Sequence, residues 1–171
     1  MADLLRVRNL HAGYGKAEVL HGLNLTATAG QVITVIGPNG AGKSTLLNAL
    51  MGVLPSKGTF DYDGQPMGLL ALEERVMRGI ALVPEDRRVQ GLVLDASVGT
   101  NLLMPQLSRF VQGGVVQDRT ARDYAETLVS QLRIKTDNID KKTRLLSGGN
   151  QQKIVVAKWL GNEPRLLILD E

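Results

Sequence analysis

The stretch Gly37-Pro-Asn-Gly-Ala-Gly-Lys-Ser-Thr45 combines glycines, one lysine and two hydroxyls at a spacing suited to a polyphosphate. It fits the pattern G-x-x-x-x-G-K-[ST]. Glycines let the backbone bend so that successive N–H groups point at one anion. A helix opening directly after the loop adds the positive end of its dipole. In that arrangement Lys43 reaches the β- and γ-phosphates of a nucleotide, and Ser44 offers its hydroxyl to Mg²⁺. The expected binding set is therefore Gly37, Pro38, Asn39, Gly40, Ala41, Gly42, Lys43, Ser44 and Thr45. A second constellation closes the sequence, Leu166-Leu-Ile-Leu-Asp170 followed by Glu171. An aspartate ending an apolar strand can hold Mg²⁺ through its water shell. A glutamate after it can orient and deprotonate a water molecule. Alone this is an ordinary strand end; beside a phosphate loop it is the complementary half of a site.

Such a loop needs a strand before it and a helix after it. Gln31 to Ile36 is a β-branched run of the length of a buried strand, and Ser44 to Met51 has Leu46, Leu47 and Leu50 on one helical face. Upstream, Leu4 to Leu10 and Val19 to Thr28 alternate as half-buried strands around a glycine-punctuated turn, His11 to Lys16. Downstream, Thr59 to Tyr62 reads as a strand ending in the turn Asp63-Gly64. Leu69 to Arg78 reads as a helix, and Ile80 to Val83 as a buried strand. From Glu85 to Arg144 no strong strand is evident, whereas Ser97 to Met104 and Asp118 to Ile134 have helical spacing. This middle section is expected to be a helical insert in an α/β body. A further helix is expected over Gly149 to Leu160, and a strand over Leu166 to Leu169.

Composition sets the outer limits. The 171 residues, 43% apolar and 22% charged, describe a globular chain of about one domain. No apolar run approaches the roughly 18 residues of a membrane-spanning helix, and the N-terminus has no secretory pattern. The absence of cysteine removes disulfides, thiolate catalysis and cysteine zinc sites, and fits a cytosolic setting. A net charge of +3, with acids and bases well mixed, and 4% aromatic residues give no basis for a nucleic-acid partner.

Leu146-Ser-Gly-Gly-Asn150, at the start of the helix before the final strand, supplies a third motif. In the order phosphate loop, Leu-Ser-Gly-Gly, then Asp-Glu, the whole chain resembles the ATP-binding cassette (ABC) ATPases. The resemblance implies an α/β fold of the P-loop NTPase type, with an N-terminal antiparallel β subdomain and a helical subdomain over approximately residues 86–148. It implies ATP and Mg²⁺ as ligands. Tyr14 looks like the aromatic that stacks on adenine, with Val19 nearby. Glu85 stands where most of the family has a glutamine that contacts Mg²⁺ or the attacking water. The metal set is then Ser44, Asp170 and Glu85, and the catalytic set Glu171 and Glu85. Ser147, Gly148 and Gly149 look like the residues that close on the γ-phosphate held by a second copy. Each ATP would thus be sandwiched in a head-to-tail dimer.

Residues Leu5 to Leu20 are similar to the ATPases of branched-chain amino-acid importers, whereas Val83 to Val93 and Leu146 to Leu160 look more like those of sugar importers. The implied function is the transport-coupled ATPase of an importer. It would dock on membrane permease subunits at the inner face of the membrane and act indirectly with a substrate-binding protein. Two other readings are a non-transport soluble ABC ATPase and a nucleotide-binding regulator without turnover. Family members continue past the catalytic glutamate with a further strand and a switch histidine. His11 and His21 lie too far upstream to be that histidine. The sequence therefore reads as one truncated cassette, 1–171, with its C-terminal part missing. The isolated 171-residue chain is expected to fold poorly and to hydrolyse ATP very slowly or not at all.

Overall fold

The alternating apolar residues near the N-terminus do form strands, and these run further than their hydropathy suggests. A computed structural model of the chain describes residues 3–68 and 70–170. In it β1 (Asp3–Tyr14) and β2 (Ala17–Thr28) pair antiparallel as one long hairpin. The turn expected from His11 onward is confined to Gly15 and Lys16, because the ladder continues through Gly13 opposite Glu18 and Tyr14 opposite Ala17. Leu5, Val7, Leu10 and Ala12 are buried. Val7 and Leu10 are three apart, which in a regular strand would put them on opposite faces. A register shift between them lets both reach the core.

Beyond the hairpin, β3 (Ser56–Tyr62) pairs with the free edge of β1, and β4 (Gln65–Pro66) pairs with β3. The antiparallel order is β2-β1-β3-β4. Helix α1 (Lys43–Leu50) packs against β1 and β2, burying Leu46, Ala49 and Leu50. A short α2 (Leu72–Met77) follows, its start fixed by Glu74 Oε2 accepting the Ala71 N–H at 3.0 Å. The helix expected from Leu69 is thus shorter, and Leu69 itself lies outside the described residues. Then comes β5 (Ile80–Val83). Residues 3–82, together with Asp170, make one compact unit.

Residues 83–169 make the other. Its core is Val98 and Leu102 of α3 (Val98–Leu103), Ala125 and Leu128 of α4 (Asp118–Gln131), and Ile154, Val155 and Ala157 of α5 (Gly148–Leu160). In α4 the buried Ala121, Ala125 and Leu128 follow the spacing of one helical stripe. Asn101 binds two loop segments into this core: its Nδ2 donates to Val93 O, Ser97 O and Thr143 Oγ1, and its Oδ1 accepts the Val93 N–H. In this section, where no strong strand is expected, the chain forms one small hairpin of two-residue strands, β6 (Val111–Gln112) with β7 (Val115–Val116), turning at Gly113-Gly114. Strand β8 (Leu166–Leu169) also belongs to this unit.

The clearest departure from expectation is Gln31 to Ile36. These residues form no strand, and Val32 and Ile36 are 90% and 89% exposed. A β-branched run becomes a strand only when a neighbour pairs its backbone. Among the described residues no strand pairs with it, and the Gln31 N–H donates to Thr28 O at 3.2 Å in the turn after β2.

Among the described residues, each unit also buries one cation without a carboxylate partner. Arg75 is 3% exposed in the first. Its Nε donates to Leu70 O, its Nη1 to Ala49 O and Leu50 O, and its Nη2 to Met67 O. The Ala49 and Leu50 carbonyls belong to the last turn of α1, where the helix dipole is negative. Desolvation lowers its pKa from the usual arginine value. Arg75→Met strands those carbonyls and should cost about 3 kcal/mol or more, read as a lower urea midpoint. In the second unit Lys158 Nζ donates to Gly91 O. Desolvation holds its pKa below the ordinary 10.5. Between the folded value and 10.5 the unfolded chain binds the extra proton, so stability rises with pH across that interval. Unfolding curves over an alkaline pH series should show this rise, and Lys158→Met should flatten it.

Candidate nucleotide site

The loop from Gly37 to Lys43 has the shape its residue types imply. Gly40 and Gly42 have φ of +85° and +87°, left-handed values that glycine adopts without strain. The Ala41 N–H donates to Pro38 O at 3.1 Å, folding the loop back on itself. Val19 Cγ1 lies 3.0 Å, and Leu20 Cδ2 3.1 Å, from where a Cβ on Gly42 would sit. Strand β2 therefore presses directly on the end of the loop. Gly42 is also the N-cap of α1 and provides no side-chain cap. The first N–H groups of the helix are left open for an anion. Lys43 Nζ donates to Gly37 O at 2.7 Å and to Pro38 O at 3.2 Å, which holds the ammonium on the loop's rim.

Ser44 Oγ lies 3.2 Å from Asp170 Oδ1, joining the loop to the aspartate expected to serve Mg²⁺. Both are hard oxygen donors. Their separation is near the edge of about 3.0 Å in an octahedron with bonds of about 2.1 Å. Among the described residues no cluster of three or more histidines, cysteines or carboxylates has metal-binding spacing. One hydroxyl and one carboxylate suit Mg²⁺, which keeps most of its shell as water and phosphate oxygen. Glu171, the expected base, lies outside the described residues.

Tyr14 occupies the last position of β1, 54% exposed, at the tip of the hairpin that carries Val19. Its ring offers a flat apolar face. His11 and His21 lie on β1 and β2 around Glu18, with His11 Nδ1 2.5 Å from Glu18 Oε1. The hydrogen bond from His11 lowers the Glu18 pKa.

Glu85 and the Ser147-Gly148-Gly149 motif lie in the second unit. Glu85 is exposed. Ser147 is the N-cap of α5, but its Oγ accepts from Asn150 Nδ2 at 3.1 Å rather than from the backbone. Asn150 is fixed in turn by accepting the Lys135 N–H at 2.9 Å. The first turn of α5 thus opens like that of α1, with its N–H groups free of a side-chain cap.

Three residues beside this motif were not expected from the sequence. After Glu85 the chain makes a single π-helical turn, Arg87–Gly91, with Asp86 Oδ1 accepting the Arg88 and Val89 N–H groups. This turn lies along α5. Arg87 Nη2 is 2.9 Å from where a Cβ on Gly148 would be, Gly91 packs on Val155, and Lys158 holds Gly91 O. Only Lys158 left a trace in the sequence, as a lysine four residues after Ile154 on the apolar stripe of the helix.

Comparison with known proteins adds an independent line. A family model described as ABC transporter matches residues 20–171. The ribose import ATP-binding protein RbsA of Pseudomonas putida is 41% identical over 171 residues, covering 99% of this chain and 33% of that protein. The protein of the same name from Geobacillus kaustophilus is 38% identical over 170 residues, covering 99% of this chain and 34% of its own length. Among solved structures, MJ1267, an ATP-binding cassette of an ABC transporter, gives a TM-score of 0.80 at 24% identity, covering 100% of this chain and 70% of that one. cbiO1 from Clostridium perfringens, part of the ABC transporter complex cbiONQ, gives 0.76 at 27% identity, covering 99% and 65%. The chain spans about a third of the length of the curated relatives it matches.

Proposed function

The chain belongs to the ABC transporter ATP-binding family, and from that premise we propose that its protein binds and hydrolyses ATP to drive import of a sugar. The observation that carries this reading is the loop itself: two left-handed glycines, an uncapped helix start, Lys43 on its rim, and Ser44 bonded to Asp170. The names of the relatives favour a sugar over a branched-chain amino acid as cargo, ribose being the one they carry.

In this reading the N–H groups at the start of α1 seat the triphosphate, and Lys43 leaves its carbonyls for the β- and γ-phosphates. Tyr14 stacks on the adenine, with Val19 beside it. Ser44 and Asp170, assisted by Glu85, hold Mg²⁺, which when bound neutralises charge on the β- and γ-phosphates. Glu171 is the residue assigned to orient and deprotonate the attacking water. Ser147, Gly148 and Gly149 of a second copy close on the γ-phosphate. ATP is then a ligand shared by two subunits, and its hydrolysis removes the bridge. The resulting difference in free energy between closed and open dimers is what moves permease subunits. The protein would work at the inner face of the membrane, receiving cargo indirectly from a substrate-binding protein. No helix among the described residues is long and apolar enough to cross a membrane.

Lys43→Ala in the full-length protein should lower ATP turnover by about a hundredfold or more without altering its circular dichroism. Turnover at the original rate would contradict the assignment. Co-purification with a polytopic membrane protein separates the importer from a soluble ABC ATPase.

A further inference from the structure

Arg87 is placed where a cation is least at home. Its Nη2 sits 2.9 Å from the Cβ position of Gly148, at the opening of α5, where the helix dipole is itself positive. No carboxylate among the described residues pairs with it, and its Nε is buried with no hydrogen-bond partner. A buried donor left unpaired is costly, and a like charge at a helix N-terminus adds to the cost. Three surface cations of this unit pair with acids: Arg122 with Asp140, Lys141 with Asp137 and Arg144 with Asp95.

The position is also held from outside the residue. Asp86 caps the turn that carries Arg87, Gly91 at its end packs against Val155, where a Cβ would come within 3.0 Å, and Lys158 Nζ anchors the Gly91 carbonyl. Gly148 admits the guanidinium because it has no side chain. All of these contacts lie within residues 83–169. The positive charge that is unfavourable beside the start of α5 in the free chain becomes favourable once an anion reaches the first turn of that helix. The helix dipole, the open N–H groups and the guanidinium would then share one ligand.

We propose that Arg87 contacts the terminal phosphate of the nucleotide held by a second copy, as a cationic partner of Ser147-Gly148-Gly149. This rests on the dimer reading above and names a residue that the motif alone does not contain. It assigns the segment from Glu85 to Gly91 a part in closing the dimer, through a charge that acts on the γ-phosphate and not on the remainder of the nucleotide.

The test uses the full-length protein with magnesium and ATPγS, and follows association by sedimentation velocity. Arg87→Met should weaken ATPγS-dependent association by at least about tenfold, while Arg87→Lys, which keeps the charge, retains most of it. Affinity for ADP, which lacks the γ-phosphate, should not change in either variant, and the thermal midpoint without nucleotide should not fall. Should Arg87→Met fail to fold, Arg87→Gln takes its place, with the same expectation. Undiminished association in the Met or Gln variant overturns the proposal and leaves the dimer reading standing. A lysine variant as defective as the methionine one, with a lowered thermal midpoint, also overturns it, because Arg87 would then be a packing residue. If the unsubstituted protein binds magnesium–ATPγS yet does not associate, the dimer reading fails and this inference with it.

Discussion

Backbone N–H groups that the chain cannot satisfy by itself are the constraint on which the site depends. At the start of α1 they arise because Gly42, in a left-handed conformation, caps the helix with no side chain. A serine or aspartate there would have supplied an acceptor and closed the site to a ligand. The same omission recurs at α5, by another route. Ser147 is a residue able to cap, but Asn150 engages its hydroxyl, and Lys135 fixes Asn150. These two helix starts are thus left without a side-chain cap, one by residue choice and one by a hydrogen-bonded diversion.

Both units support these openings from behind with buried cations on backbone carbonyls. Arg75 gathers the C-terminal carbonyls of α1, at the opposite end of the helix from the phosphate loop. Lys158, near the C-terminal end of α5, anchors the turn that brings Arg87 to that helix's N-terminus. In each case a long cationic side chain satisfies carbonyls that a short apolar residue would leave orphaned. These bonds place α1 and α5 firmly enough for their open ends to be used as binding surfaces.

How far the sequence could be read follows from how local each interaction is. The tight loop before α1 was legible because its turns demand glycines at particular adjacent positions. The β1–β2 hairpin, α1 and α4 were legible because burial imposes a period on the residues that enter the core. Gln31 to Ile36 was misread because strand propensity records what a segment could do beside a partner and not whether the partner is present. The β6–β7 hairpin was readable in Val111-Gln-Gly-Gly-Val-Val116, where two glycines at positive φ form the turn, but its strands are too short for alternation to register. Arg87 could not have been found this way, since its contact with Gly148 bridges residues remote in sequence. The family resemblance had a different reach. It named Ser147, Gly148 and Gly149 from their motif, and Tyr14, Val19 and Glu85 from their places in the chain, but not Arg87.

Isothermal titration calorimetry of ATP into the intact, folded protein, with and without magnesium, is the most direct measurement of whether residues 37–45 hold a triphosphate. Saturable binding that strengthens with magnesium is the predicted result. The absence of any magnesium-dependent heat would contradict it, since the open N–H groups of α1, Lys43 and the Ser44–Asp170 pair would then have no ligand in common.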